Sequence, residues 1–131
     1  MKIIHKSGKR KTAIARATLN EGKGIVKINN ILIDEYQPKL SRLKLREPLL
    51  LAGDVVNKVN ISINSTGGGI NSQAEAARLA VARALVAYDK KLEQVFLNYD
   101  RNLLVADVRR KETHKPNCHG KARAKKQKSY R

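Results

Sequence analysis

The last 23 residues split this chain into a part that can fold alone and a part that cannot. Residues 109–131 contain ten Lys or Arg, one Glu, and almost nothing apolar beyond Ala122, Ala124 and Tyr130. Such a segment cannot bury enough surface to offset the entropy lost on ordering it. The expected organisation is therefore a single globular body, residues 1–108, followed by an extended basic tail, residues 109–131, disordered when free. At about 3.1 Å per residue the tail reaches roughly 70 Å. The body's radius of gyration is only about 13 Å, so the tail can touch partners far from the globule.

Within the body, hydrophobic periodicity sets the elements. Residues 11–20 alternate, with Ala13, Ala15, Ala17 and Leu19 on one face and Thr12, Ile14, Arg16 and Thr18 on the other. Glu21-Gly22-Lys23-Gly24 reads as a turn and residues 25–28 as a returning strand, which together make a hairpin. Leu40, Leu43, Leu49 and Leu50 have roughly helical spacing. They predict one helix over about 39–46 and a second short one opening near Pro48, a residue suited to a first helical turn. Residues 59–64 alternate apolar and polar as a strand. Thr66-Gly67-Gly68-Gly69 follows as a loop, and Ser72-Gln73-Ala74-Glu75 has the form of a capping box opening an Ala-rich helix that ends near Tyr88. A further helix is expected over about 92–97, and residues 103–108 are apolar enough for a strand buried on both sides. The fold class is α+β, a small sheet with helices packed on one face.

Charge decides the class of partner. Lys and Arg number 28 against 11 Asp and Glu, a formal net charge of +17. Self-repulsion of that size is relieved by a phosphate backbone, whose condensed counterions are released as each phosphate is neutralised. No stretch approaches the roughly 20 apolar residues that span a bilayer, so no membrane partner is expected. With four Tyr, one Phe and no Trp, the chain lacks the aromatic platforms that read unstacked bases. It should grip phosphates and shape. The single Cys allows no internal disulfide and the N-terminus has no apolar signal region, so the expected setting is reducing and cytoplasmic.

Two basic clusters are the candidate site. Lys6, Lys9, Arg10, Lys11 and Arg16 have no acid among them. The tail contributes Arg109, Arg110, Lys111, Lys115, Lys121, Arg123, Lys125 and Lys126, with short residues between them that let the backbone approach an RNA groove. Gly67, Gly68 and Gly69 lie between strand and helix, where backbone amides favour anions. They lack the Lys followed by Ser or Thr of a nucleotide-binding loop, which leaves a tight turn or an RNA phosphate contact. His114, Cys118 and His119 are an incomplete zinc set, and no metal or other cofactor is expected. Asp100 and Asp107 are not marked as a catalytic pair; the segment reads as a turn carrying charge, with an Asp100–Arg101 ion pair as one option, and the chain reads as no enzyme. A free DNA-architectural protein and an RNA-processing subunit are the competing classes. The first would want apolar wedges, the second a metal-binding carboxylate set.

Six collinear segments resemble one family, the ninth protein of the small ribosomal subunit in its archaeal and eukaryotic form. They are Gly8-Lys9-Arg10-Lys11-Thr12-Ala13; Glu47-Pro48-Leu49-Leu50-Leu51; Thr66-Gly67-Gly68-Gly69 with Ser72-Gln73; Ala82 to Tyr88 around Leu85-Val86-Ala87-Tyr88; Tyr99-Asp100-Arg101 with Leu103-Leu104-Val105-Ala106-Asp107; and Gln127-Lys128-Ser129-Tyr130-Arg131. The resemblance implies a sheet with packed helices and a left-handed crossover, against the usual hand. It also implies a place on ribosomal RNA in the head of the small subunit, beside neighbouring head proteins and with no homo-oligomer. The tail would run toward transfer RNA in the peptidyl site. Lys128, Ser129, Tyr130 and Arg131 would be nearest that ligand, with Arg131 on an anticodon-stem phosphate. Tyr130 stands where bacterial members carry a cation.

Overall fold

The computed structural model describes residues 3–124 and residue 130. Among them one sheet holds β1 (Ile4–Arg10), β2 (Ala13–Glu21), β3 (Val26–Ile28), β4 (Ile31–Leu32) and β5 (Val59–Thr66), in the order β1-β2-β5-β3-β4. The α-helices are α1 (Lys39–Ala52), α2 (Ile70–Tyr88) and α3 (Leu92–Tyr99). α2 lies across β1, β2 and β5, and α1 and α3 pack beside it. The expected α+β arrangement is the one that forms.

Alternation sets the faces. Ala13, Ala15, Ala17 and Leu19 of β2 and Val59, Ile61 and Ile63 of β5 are buried under the helices. Small residues bring α2 close: Ala76, Ala77 and Ala80 are fully buried, and a Cβ on Gly8 would sit 2.1 Å from the Ala76 carbonyl oxygen. Only glycine at position 8 permits that approach. Phe96, Leu45, Leu85 and Leu103 supply the bulk around this thin contact, each stabilising by about 2 kcal/mol through burial.

Five expectations are corrected. Residues 25–28 form a strand, but not the return of a hairpin with β2. β3 runs parallel to β5, whereas β2 pairs antiparallel with β1 and with β5. The hairpin is β1–β2, turning at Lys11-Thr12. β1 is an edge strand that buries only Ile4 and Gly8, and edge strands tolerate charges that hide their alternation.

The region around Pro48 is one helix. α1 is continuous, with Leu45, Pro48 and Ala52 buried, so packing against α2 outweighs the hydrogen bond that proline removes. The capping box does not form either. α2 begins at Ile70 with Gly69 at its N-cap, and Glu75 turns to Arg10 and Lys44 instead of the backbone. Finally, residues 103–108 are not a strand. A 3-10 turn, Arg101–Leu103, buries Leu103 alone, and Val105 and Val108 are exposed. The Asp100 carboxylate accepts a hydrogen bond from the Asn102 amide at 2.9 Å and pairs with Arg78 at 3.1 Å, not with Arg101.

Candidate nucleic-acid interface

The β1–β2 turn and the root of the tail are the two halves of the site. Lys11 turns with φ 53° and is exposed beside Thr12. The glycine loop seats this turn from below. Gly67 and Gly68 have φ of 74° and 64°, and a Cβ on Gly67 would lie 2.7 Å from the Thr12 carbonyl oxygen. The loop is thus a tight turn pressed against the hairpin, as its glycine content suggested. A Cβ on Gly69 would meet nothing within 4 Å.

The tail root is brought to the same place by charge. Arg83 on α2 donates to the Ser7 carbonyl on β1 at 2.9 Å and to the Leu104 carbonyl at 3.1 Å. It therefore ties the chain after α3 to the free edge of the sheet. Asp107 then lies 3.0 Å from Arg10, and Arg109 donates to it at 2.8 Å. Hydrogen bonds from Arg109 hold the Asp107 carboxyl well below the usual carboxylate range.

Arg10 is the centre of this clasp. Its Nε donates to Glu75 at 2.7 Å, and Lys44 reaches the same carboxylate at 3.0 Å. Burial alone would push the Glu75 carboxyl up, but hydrogen bonds from Arg10 and Lys44 lower it on balance. Beside them, Arg78 bridges Asp100 and Glu47. Four carboxylates are drawn into the body by these pairs, leaving the rim to the cations.

The rim is a cleft of about 750 Å³ lined by Lys9, Lys11, Thr12, Arg109, Arg110 and Lys111, without a carboxylate. Among the described residues Lys9, Lys11, Arg110 and Lys111 have no carboxylate partner. Positive charge in a concave, acid-free setting focuses field lines and attracts a polyanion. The tail beyond it carries no helix or strand among the described residues. It doubles back, with Lys115 N donating to the Lys121 carbonyl at 3.2 Å and Arg123 to Glu112 at 2.7 Å. A side-chain hydrogen bond with Lys111 holds the Lys121 amine below the usual lysine range.

The sequence-predicted residues divide accordingly. Lys9, Lys11, Arg109, Arg110 and Lys111 are brought together. Lys6 is exposed on β1 above a second cleft shared with Arg83 and Lys90. Arg16 is exposed on the far face of the sheet, opposite Ser7 and Asn64. Arg10 is largely covered, its side chain 15 % exposed, against 79 % for Arg109. Lys115, Lys121 and Arg123 lie in the doubled-back segment, and Tyr130 is exposed. Lys125, Lys126, Lys128, Ser129 and Arg131 fall outside the described residues. Cys118 Sγ lies 3.6 Å from the Pro116 carbonyl, and no group of three or more His, Cys, Asp or Glu gathers among the described residues. Glu75, Arg83 and Asp107 shape the site, yet no local signal marks them, because their partners are distant in sequence. Among the described residues no helix is long and apolar enough to cross a membrane.

The family model described as ribosomal protein S9/S16 matches residues 8–131. The chain is 48% identical over 134 residues to the small ribosomal subunit protein uS9 of Methanococcus maripaludis strain C7, with both chains covered in full. The protein of the same name from Methanococcus vannielii is 46% identical over the same length, again with full coverage.

Proposed function

The chain belongs to the ribosomal protein S9/S16 family, and on that premise we propose that the acid-free cleft at the hairpin turn is its grip on ribosomal RNA in the head of the small subunit, with the tail reaching toward transfer RNA in the peptidyl site. As a member of the family it is a structural constituent of the small subunit, binds ribosomal RNA, works on the cytoplasmic ribosome and is not an enzyme.

The observation that carries the finer reading is the clasp. Arg10, Glu75 and Asp107 fix the tail root against the hairpin, so Lys9, Lys11, Arg110 and Lys111 present one cationic concavity. Arg10 acts there as a positioning residue. Lys6, Arg16, Arg109, Lys115, Lys121, Arg123, Lys125 and Lys126 extend the phosphate contacts beyond the cleft; Gly67 and Gly68 seat the turn that carries Lys11, and Gly69 leaves the loop open to an RNA phosphate. The tail's ten cations against one acid suit it to thread between RNA segments, with ordering entropy offset by phosphate contacts. Its final residues, Lys128, Ser129, Tyr130 and Arg131, are the ones placed on transfer RNA, and neighbouring head proteins complete the set of partners.

Deleting residues 128–131 tests the transfer RNA role. Purified subunits carrying the shortened protein should assemble in normal yield but retain peptidyl-site transfer RNA several-fold less well. Normal retention would remove the tail from that site.

A further inference from the structure

Among the described residues the helices cover one face of the sheet and nothing covers the other. Strand register places the outward residues in rows. His5, Thr18, Ser62 and Lys27 form one row across β1, β2, β5 and β3, which Leu32 continues onto β4. Ser7, Arg16 and Asn64 form the next, and Lys9, Ile14 and Thr66 the one nearest the basic cleft. At about 4.8 Å between strands, the four-strand row is about 14 Å wide.

Three properties of this surface are selective. It carries no carboxylate in a chain that has 11, whereas a face that is merely solvated mixes both signs. It carries no Phe, Tyr or Trp, so it cannot stack unpaired bases in the way that single-strand-binding sheets do. What it offers is a floor of short hydroxyl and amide groups, with Ser62 and Asn64 exposed, and cations Lys9, Arg16 and Lys27 distributed across it. His5 Nδ1 and Thr18 Oγ1 are 3.0 Å apart, which fixes one of these groups in place.

We propose that this open face is a docking platform for double-helical RNA, taking the wide, shallow minor groove of an A-form helix. The 2′-hydroxyls meet Thr18, Ser62 and Asn64, and the flanking phosphates meet Arg16, Lys27 and Lys9. The minor groove of A-form RNA displays hydroxyls that both donate and accept, and Ser, Thr and Asn side chains are the neutral groups that answer both roles. DNA lacks that hydroxyl. The inference rests on the ribosomal RNA reading above and adds to it the form of RNA recognised and the face that recognises it.

The test compares affinity of the full-length protein for a blunt RNA duplex and a DNA duplex of the same sequence, at one salt concentration. The wild type should prefer the RNA duplex. The triple variant Thr18→Val, Ser62→Ala, Asn64→Ala should lose about tenfold or more of that RNA-over-DNA ratio, the worth of two or three hydrogen bonds. Arg16→Gln should weaken both duplexes alike. A hydroxyl-preserving pair, Thr18→Ser with Ser62→Thr, should keep the ratio and so exclude misfolding as the cause. An unchanged ratio in the triple variant overturns the platform while leaving the cleft's role intact. Equal competition by single-stranded RNA also overturns it. A wild type with no affinity for RNA at all would sink the ribosomal RNA reading itself.

Discussion

Arg10 Nε lies 2.7 Å from Glu75 Oε2, joining the end of β1 to the second turn of α2 across 65 positions of sequence. The same guanidinium reaches Asp107 at 3.0 Å. One side chain thereby locks together the hairpin, the helix and the start of the tail.

Replacing Arg10 with Met should destabilise the protein by about 1–2 kcal/mol, because it leaves two half-buried carboxylates short of a partner. Arg10→Lys should recover little, since a single ammonium cannot hold both carboxylates in the planar fork that a guanidinium offers. Urea unfolding followed by circular dichroism measures both variants. An unmoved midpoint for Arg10→Met would mean that the clasp contributes nothing to stability.

The clasp also predicts a pH dependence. Glu75 and Asp107 both have folded-state pKa values below their ordinary ones, so the unfolded chain binds protons first as pH falls. Their stabilisation is fully present above about pH 5 and is lost as pH drops through the unfolded carboxylate range, about 3.9–4.3, toward the lower folded values. Urea midpoints should therefore fall more steeply below about pH 5 for the wild type than for Glu75→Gln. Parallel curves would rule Glu75 out as a source of the acid sensitivity.

Neighbouring glycines should respond unequally to the same change. Gly67→Ala forces a left-handed residue and brings a methyl to 2.7 Å from the Thr12 carbonyl, which should cost about 1–3 kcal/mol. A Cβ on Gly69 would have open space around it, and Gly69→Ala should cost only the N-cap preference of glycine over alanine, about 1 kcal/mol or less. Thermal melts of the two variants separate them, and equal losses would mean that loop contact with the hairpin is not what the glycines serve.

The cleft should be visible in salt dependence. Log affinity for a small-subunit RNA head fragment should fall linearly with log salt, at about 0.7–0.9 per phosphate neutralised. The triple variant Lys11→Gln, Arg110→Gln, Lys111→Gln should make that slope shallower by about two units, with little change in stability because these side chains are exposed. A slope equal to wild type would place the phosphate contacts elsewhere.

Much of this was readable along the chain. The strands at residues 13–21 and 59–66 and the helix ending at Tyr88 follow from periodicity, because burying one face of a strand or helix leaves a repeat in the residues themselves. The elements that escaped are those whose form was set from outside. β1 alternates too weakly to be seen, since its inward glycine is chosen by how closely α2 approaches. α1 runs through Pro48 because its buried face rests on α2. The apolar run after Arg101 fails to become a strand, its one buried member being Leu103.

The sequence by itself determined the α+β class and a polyanionic partner. Each depends on local pattern or on summed charge, quantities that need no coordinates. Tertiary structure alone decided which cations remain available. Arg10 and Lys11 are adjacent and equally basic in the sequence, yet the strand pleat turns Arg10 in toward Glu75 and Asp107 while Lys11 stands on the turn facing solvent. Pairing a charge requires bringing together residues far apart along the chain, and that is fixed by strand register and helix packing.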